Sequence, residues 1–578
     1  MLWYGKHTEG AVLNPDYLKR TAMKKILFLT LLTVLLAGVP GGVFSQKVSY
    51  TPVNFDPSVK YQTMVGWGAS LAFYEGWLTA HPKKAEIYDV IFKELSLDIL
   101  RVRNAYGYDN TMIGRVKEFN QAAQKSLGHP IDILTTSWGP PASLKSNNDK
   151  NNGGTLKYTV SDGKVNFNYA GFARWWNQSL DDYNKNGVYP KYVSIQNEPD
   201  FKADYESCLL NPSETFNATD TIAGYNKALD AVYDTLQKRS HIPLFLGPEC
   251  VGIGYFGQTS NGVERYVNAL DINKLYGIAH HLYHGTDEEN PWSSADFGKM
   301  GKYRPQIPHF QTEYSRGKWF PLSGMIYKSL NDENAVAYFF WDLVWPDGGL
   351  VDIDFPWDVN QWTDKSKGYQ RTKHYWVFKQ FSAWIHPGWT RVKVNAPSVM
   401  VKNVAFLSAD GDSATLVAIN TSASTSYGLK PAIPGYTIDE MVITRTSATE
   451  DGVKLTMPTD SILITPQSIT TIAMKIAEIN TSTHRHLLSG TGAGVVTLFP
   501  NPLRNGGTLR FSTTEKGIYS LNIFDLRGSM MLSQPLGTLL PGEQTIGVHR
   551  QNLPAGSYLF RVDNNGREAG RGKFTVAE

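Results

Sequence analysis

The chain has 578 residues, 42% of them hydrophobic and 19% charged, with a formal net charge of +3. That is an ordinary globular composition, long enough for two to four domains. With no basic stripe and no phosphate-cradling glycine loop, it argues against a nucleic-acid partner.

In chain order, Met23-Lys24-Lys25 precedes an apolar run from Ile26 to Ala37, and small residues follow as far as Ser45-Gln46. This is the charged, apolar and small-residue order of a signal peptide over 23–45. The run is too short to favour a membrane span. Residues 1–22 read as an upstream extension, and the mature protein is expected to begin near Gln46. The β-like stretch 46–61 is expected to join a side β-sandwich.

Over 62–386, eight apolar strand-like runs recur: Met64–Ser70, Asp98–Asn104, Ile131–Ser137, Tyr192–Asn197, Pro243–Glu249, Gly277–Tyr283, Pro308–Glu313 and Ala335–Trp341. Amphipathic stretches such as Ala85–Leu95 and Ala170–Asn186 lie between them. This alternation predicts an α/β fold, a (β/α)8 TIM barrel with function at the carboxyl ends of its strands. After residue 387 the helix signals vanish, and short strands separated by turns predict a side β-sandwich over 387–476. Residues 477–494, rich in Ser, Thr, Gly and His, read as a linker. Residues 495–578 alternate apolar and polar positions between turns and predict a small C-terminal β-sandwich.

Two glutamates end barrel strands, Glu198 in Gln196-Asn197-Glu198-Pro199 and Glu313 in Gln311-Thr312-Glu313-Tyr314. Glycosidic hydrolysis needs one carboxyl group that holds a proton for the leaving oxygen and one that is ionised. Rigid strand ends can hold such a pair. Glu198 is expected to be general acid and then base, with a pKa lifted by an ionised Glu313. Tyr283 is expected to hydrogen-bond and orient Glu313. Both on one rim, the pair should stand at the shorter separation that implies retention. Asn197 is suited to a sugar 2-hydroxyl, while Trp138, Trp341 and Trp345 are candidate sugar platforms. Fifteen Trp and thirty Tyr are many, but rings also fill cores.

Glu249, in Gly247-Pro248-Glu249, competes as a strand-end acid, for substrate binding, site organisation or structure alone; Glu75 and Asp200 are weaker candidates. In His280-His281-Leu282-Tyr283-His284, strand alternation puts His281 and Tyr283 on one face and His280 and His284 on the other. No further ligand accompanies them, so neither a metal site nor a cofactor is expected. Cys208 and Cys250, the only cysteines, either form one disulfide in an oxidising compartment or stay buried as thiols.

These strings resemble glycoside hydrolase family 30 over residues 48–476. The resemblance rests on Gly66-Trp-Gly-Ala-Ser70, Ser137-Trp-Gly-Pro-Pro141, Val193-Ser-Ile-Gln-Asn-Glu-Pro-Asp200, His281-Leu-Tyr283, Thr312-Glu-Tyr314 and Phe381-Ser-Ala-Trp-Ile-His-Pro-Gly388. It implies Glu198 as acid/base and Glu313 as nucleophile, with Arg101, Asn197, His281, Tyr283 and Trp341 around the scissile bond. Pro140–Lys145 and Gly153–Lys157 resemble the xylanase branch. Glucuronoxylan-specific members carry an arginine after the eighth strand; here Trp345 stands near that place, and Asp342 and Asp347 would repel a uronate. Arg316 and Lys318 are the substitutes on offer.

The expectation is a secreted retaining endo-β-1,4-xylanase with weak or no glucuronate dependence. The alternatives are a glucuronoxylan-specific xylanase, an endo-β-1,6-galactanase or β-1,6-glucanase, and a non-catalytic glycan-binding protein. The tail resembles a type IX secretion C-terminal sorting domain, through Phe499–Pro502 and Gly572-Lys-Phe-Thr-Val576. That implies the type IX machinery as partner and release to the medium or outer surface of a Gram-negative bacterium; separately, a monomer is expected.

Overall fold

The computed structural model describes residues 48–254, 262–479, 496–526, 528–551 and 553–577. The extension, the signal peptide and most of the expected linker lie outside these residues. The chain divides into two compact units, Met1–Ile479 and Asn480–Glu578.

In the first unit, eight strands close into a parallel barrel: β1 (Gly66–Leu71), β2 (Ile99–Arg103), β3 (Asp132–Thr136), β4 (Tyr192–Ser194), β5 (Leu244–Cys250), β6 (Gly277–His281), β7 (His309–Glu313) and β8 (Ala337–Phe340). All eight expected runs supply a strand. Helical segments connect successive strands, among them Met112–Leu127, Tyr169–Lys185, Tyr225–Leu236 and Trp319–Lys328. The bottom of the barrel is filled from inside by Ile99, Leu134, Tyr192, Leu246, Phe310 and Phe339. Residues of opposite parity, such as Leu100, Val102, Ile133 and Val193, join the larger core beneath the helices.

The side domain is a nine-stranded sheet system, among the described residues, bridged by the strand Tyr50–Thr63. Its first half pairs in parallel with Tyr427–Ala432, and its second half pairs antiparallel with Thr390–Val394. The domain has its own core, including Val53, Phe55, Leu416, Leu429 and Ile472. Buried Gln380, on the last barrel helix (Lys373–Ser382), fastens this sheet to the barrel: its Nε2 donates to Thr446 and its Oε1 accepts from Thr444 and Thr471. Ala477 and Glu478, expected in the linker, still belong to the strand Ser468–Glu478.

The second unit has a three-stranded sheet (Thr497–Phe499, Gly506–Thr513, Gly542–His549) and a four-stranded sheet (Gly517–Phe524, Met530–Leu539, Gly556–Asn564, Arg567–Val576). Leu509, Phe511, Leu521, Phe560 and Phe574 form its core. No helix among the described residues is long and apolar enough to cross a membrane.

β1 passes close to the Phe339 ring at Gly68, where an added methyl would overlap the ring. Gly68→Ala should therefore lower the stability of the first unit by about 1–3 kcal/mol. Urea unfolding followed by near-ultraviolet circular dichroism reads this; an unchanged midpoint would mean that the barrel interior relaxes around the methyl.

Candidate active site

Parity places the central cation. Ile99, Arg101 and Arg103 share one face of β2, and Ile99 lies in the inner cluster, so Arg101 sits inside the barrel above it. Arg101 is wholly buried. Its Nη1 donates to Glu313 Oε2 at 2.6 Å, and its Nη2 donates to Asn197 Oδ1 at 2.7 Å and Glu249 Oε2 at 3.2 Å. The guanidinium carbon lies 4.4 Å from the Trp138 ring centroid.

Two irregularities aim the carboxylates. Between β6 and β7 the register pairs His280 with Gln311 and then His281 with Glu313, skipping Thr312. Between β5 and β6 it pairs Pro248 with Ala279 and then Cys250 with His280, skipping Glu249. Such bulges redirect the side chains beside them. Glu198 and Glu249 also adopt left-handed backbone, with φ of 43° and 56°, which costs about 1–3 kcal/mol each for a non-glycine residue. A hydrogen bond from Glu198 N to Glu249 O, 3.0 Å, ties the two positions together.

A carboxylate oxygen of Glu198, one of Glu313 and a ring nitrogen of His281 lie within 4.8 Å of one another. His281 Nδ1 is 3.0 Å from Glu198 Oε1, and the Tyr283 hydroxyl donates to Glu313 Oε1 at 3.0 Å. These three side chains could hold a cation, but hydrogen bonds within the site already engage them.

The electrostatics separate the two acids. Burial lifts Glu198 from its usual 4.5 to about 7; Glu249 adds to this, while Arg101 opposes it. The expected repulsion between Glu198 and Glu313 is present as well, and it raises Glu313. Glu313 is also raised by burial, against His281 and Arg101, and its two strong donors favour its ionised form. Burial pushes Glu249 up, but Arg101, His281 and hydrogen bonds from Ser194 and Thr312 together hold it below its usual value. Burial drives His281 down to about 4, so it is neutral near pH 7.

Of the expected platforms, Trp138 is 2% exposed and its ring carries Arg101, so it is a support rather than an open face. Trp341 packs on Trp138 with centroids 5.6 Å apart, and Trp345 lies 6.0 Å from Trp341. Asp342, expected to repel a uronate, is buried, accepts from the Ala72 and Leu343 backbone N–H groups and is pushed well above the usual carboxylate range by burial; it is not a charge at the mouth. Asp347 is exposed. His280, on the opposite face from His281, pairs with buried Glu333 at 2.5 Å. Of the two readings of the cysteines, the disulfide is not formed: Cys208 and Cys250 are buried free thiols. Cys250 hydrogen-bonds Asp200, while Cys208 lies near Lys145.

Three further features complete the site. Phe73, at φ 64°, sets its ring 6.1 Å from Trp138 and 6.0 Å from Trp341. Arg103 lies over the Phe73 ring and pairs with Glu75 and Glu206 at 2.8 and 3.0 Å. Arg316 stacks 5.0 Å from the Tyr283 centroid. Sequence reasoning offers Glu75 and Arg316 only as minor candidates, and it misses Phe73 and Glu206, which lie in irregular chain without a strand-end position to mark them.

Residues 497–576 match the secretion system C-terminal sorting domain. A Caenorhabditis elegans protein named as a glucosylceramidase is 21% identical over 441 residues, 65% of this chain and 77% of that protein. The glucuronoxylanase XynC of Bacillus subtilis is 24% identical over 190 residues, 32% of this chain and 41% of that protein. Among solved structures, the catalytic domain of a family 30 xylanase C from Talaromyces cellulolyticus superposes with a TM-score of 0.58 at 19% identity, covering 74% of this chain and all of that one. The barrel and its side sheet thus have the fold of glycoside hydrolase family 30.

The raised pKa of Glu198 has a stability consequence. Below about pH 4.5 the group is protonated both folded and unfolded and contributes no difference. Between 4.5 and about 7 the unfolded chain releases the proton and the folded chain keeps it, so the folded state loses ground as pH rises. Glu198→Gln removes this penalty. Its melting temperature relative to the parent should rise from pH 5 to pH 8, by the equivalent of roughly 1.4 kcal/mol for each tenfold difference in proton affinity between the folded and unfolded chain. A difference independent of pH would refute the assignment.

Proposed function

We propose that this chain is an exported, retaining glycoside hydrolase of family 30, an endo-β-1,4-xylanase with weak or no dependence on glucuronate side chains. In this reading residues 62–386 are the catalytic barrel. Residues 495–578 address the chain to the type IX machinery and to the medium or outer surface of a Gram-negative cell. The observation that carries the reading is the Glu198–Glu313 pair, with oxygens within 4.8 Å across the barrel mouth and unequal surroundings. That spacing favours the retaining geometry over the wider inverting one.

Glu313, oriented by Arg101 and Tyr283, attacks the anomeric carbon. Glu198 gives its proton to the departing glycosidic oxygen, and a glycosyl ester forms on Glu313. Glu198, now ionised, takes a proton from water as the water oxygen attacks the same carbon; the ester breaks and the sugar leaves with its configuration retained. Arg101 donates to Asn197 Oδ1, so the Asn197 amide nitrogen is the group left to meet a sugar 2-hydroxyl.

Because Glu198 must hold a proton, activity should fall as pH rises through about 7. Glu249→Gln removes a like charge and leaves Arg101 less neutralised; both changes lower the Glu198 pKa, so the basic limb of kcat/KM should move to lower pH. A limb that stays in place would separate Glu249 from the proton donor.

Chromatography and mass spectrometry of products from three polymers test the substrate: glucuronoxylan, an arabinoxylan low in uronate, and a β-1,6-glucan. Ladders from both xylans support the proposal. One observation favours a glucuronate-anchored reading instead: Arg316 is 43% exposed beside Tyr283, with its nearest acid, Glu288, 3.7 Å away, whereas Lys318 is held closer, by Glu289 at 2.8 Å. Products from glucuronoxylan alone, each carrying one uronate, would establish that reading. Cleavage of the β-1,6 polymer alone would overturn both. A 2-fluoro-glycoside should label Glu313 covalently; a parent protein that binds glycans with no label and no products would be a binding protein.

A further inference from the structure

The aromatic residues at the barrel mouth do not stop at Trp345. Trp345 meets Tyr74 with centroids 4.5 Å apart, Tyr74 meets Trp77 at 5.0 Å, and Trp77 meets Phe355 at 5.4 Å and Trp357 at 6.3 Å. Phe355 and Trp357 are 4.9 Å apart. Together with Trp341 these rings form an unbroken series of contacts from the Trp138–Arg101 stack to the surface. It ends at Trp357, which is 60% exposed.

The segment presenting Trp357 is built rather than loose. A small sheet of Val344–Trp345, Val351–Ile353 and Tyr369–Arg371 frames it. The Trp362 indole donates to Phe355 O at 2.8 Å and its ring stacks on His81 at 5.1 Å and 13°. Thr363 N and Oγ1 donate to Asp354 at 3.0 and 3.1 Å. These contacts fix the backbone on both sides of a large ring left mostly in water. A lone exposed tryptophan needs no explanation, but one that continues a series of rings out of a catalytic cleft does. Aromatic faces suit the C–H faces of sugar rings. The acids of this segment, Asp347, Asp352, Asp354, Asp358 and Asp364, outnumber its cations, Lys365, Lys367 and Arg371, a balance that disfavours an anionic side chain.

We propose that the rings from Trp345 to Trp357 extend the cleft as a stacking wall for a neutral β-linked pyranoside chain, with Trp357 binding a sugar unit remote from the bond that breaks. This rests on the glycosidase reading above. It assigns the preference for long, uncharged backbone to residues of the segment after β8.

The test compares the parent, Trp357→Ala and Trp357→Phe on low-uronate arabinoxylan, on xylohexaose and on 4-nitrophenyl xylobioside. Trp357→Ala should lose about tenfold in kcat/KM on the two long substrates, mainly through KM. It should keep parental turnover of the short glycoside, which also reports that it is folded, and Trp357→Phe should restore most of the loss. Equal activity of Trp357→Ala and the parent on the long substrates, or an equal loss on all three, overturns the wall while leaving the glycosidase reading intact. A parent inactive on all three and on a β-1,6-glucan defeats the glycosidase reading, and the wall with it.

Discussion

One buried guanidinium sets the terms for everything around it. Arg101 has no solvent exposure, yet it binds acceptors carried by three other parts of the barrel rim: Asn197 after β4, Glu249 on β5 and Glu313 on β7. Taking such a cation out of water is costly and is tolerated only where its donors are met. Three carboxyl groups, those of Glu198, Glu249 and Glu313, gather around this one guanidinium. His281 does not supply a second charge, since burial keeps it neutral near pH 7, and Arg316 is partly in solvent. Arg101 touches Glu249 and Glu313 but not Glu198. A proton on Glu198 is the cheapest way to balance the site, and its rise to about 7 follows from that deficit as well as from burial. In the proposed mechanism, the division of labour between two chemically identical side chains follows from which of them the arginine reaches.

The backbone bears a cost for this arrangement. Glu198 and Glu249 both sit at positive φ, and the ladder skips a residue at Glu249 and at Thr312. A regular barrel would send strand-end side chains alternately inward and outward. The bulges let neighbouring strands present carboxylates to one point. The surrounding core supplies the compensation: Trp67, Trp176, Tyr338 and Tyr375 are fully buried, and Gln380 stitches the last helix to the side sheet. Strain concentrated at a site within an otherwise regular fold is a common cost of function.

The same features explain what is legible in the sequence. The barrel strands can be read because their apolar runs are short and bounded and are separated by helical periods. Glu198 and Glu313 can be read because each closes such a run. The expected strand Tyr192–Asn197 extends too far, since the ladder ends at Ser194 before the left-handed turn at Glu198. Glu249 reads only as a competitor, because strand position says nothing about which acids share a counter-ion. Asp342 reads as a mouth charge, but its neighbours are the Ala72 and Leu343 N–H groups, one of them distant in sequence. Cys250 ends β5 and Cys208 lies in irregular chain after β4, and each faces a different polar group.

Aromatic content is the least decidable signal, because the same ring serves a core or a sugar. The structure separates these uses by position. Trp138 has become part of the electrostatic apparatus, its face spent on Arg101. Trp341 and Trp345 lie one and two rings outward, and Trp357 ends in water. A gradient from buried cation to open ring suits a polymer whose reacting unit needs a fixed charge pattern and whose remaining units need only stacking. Arg316 stands outside this gradient, against Tyr283. On the proposed reading, charge selection falls to the segment after β7 and length selection to the segment after β8, so the two preferences can change independently on one barrel.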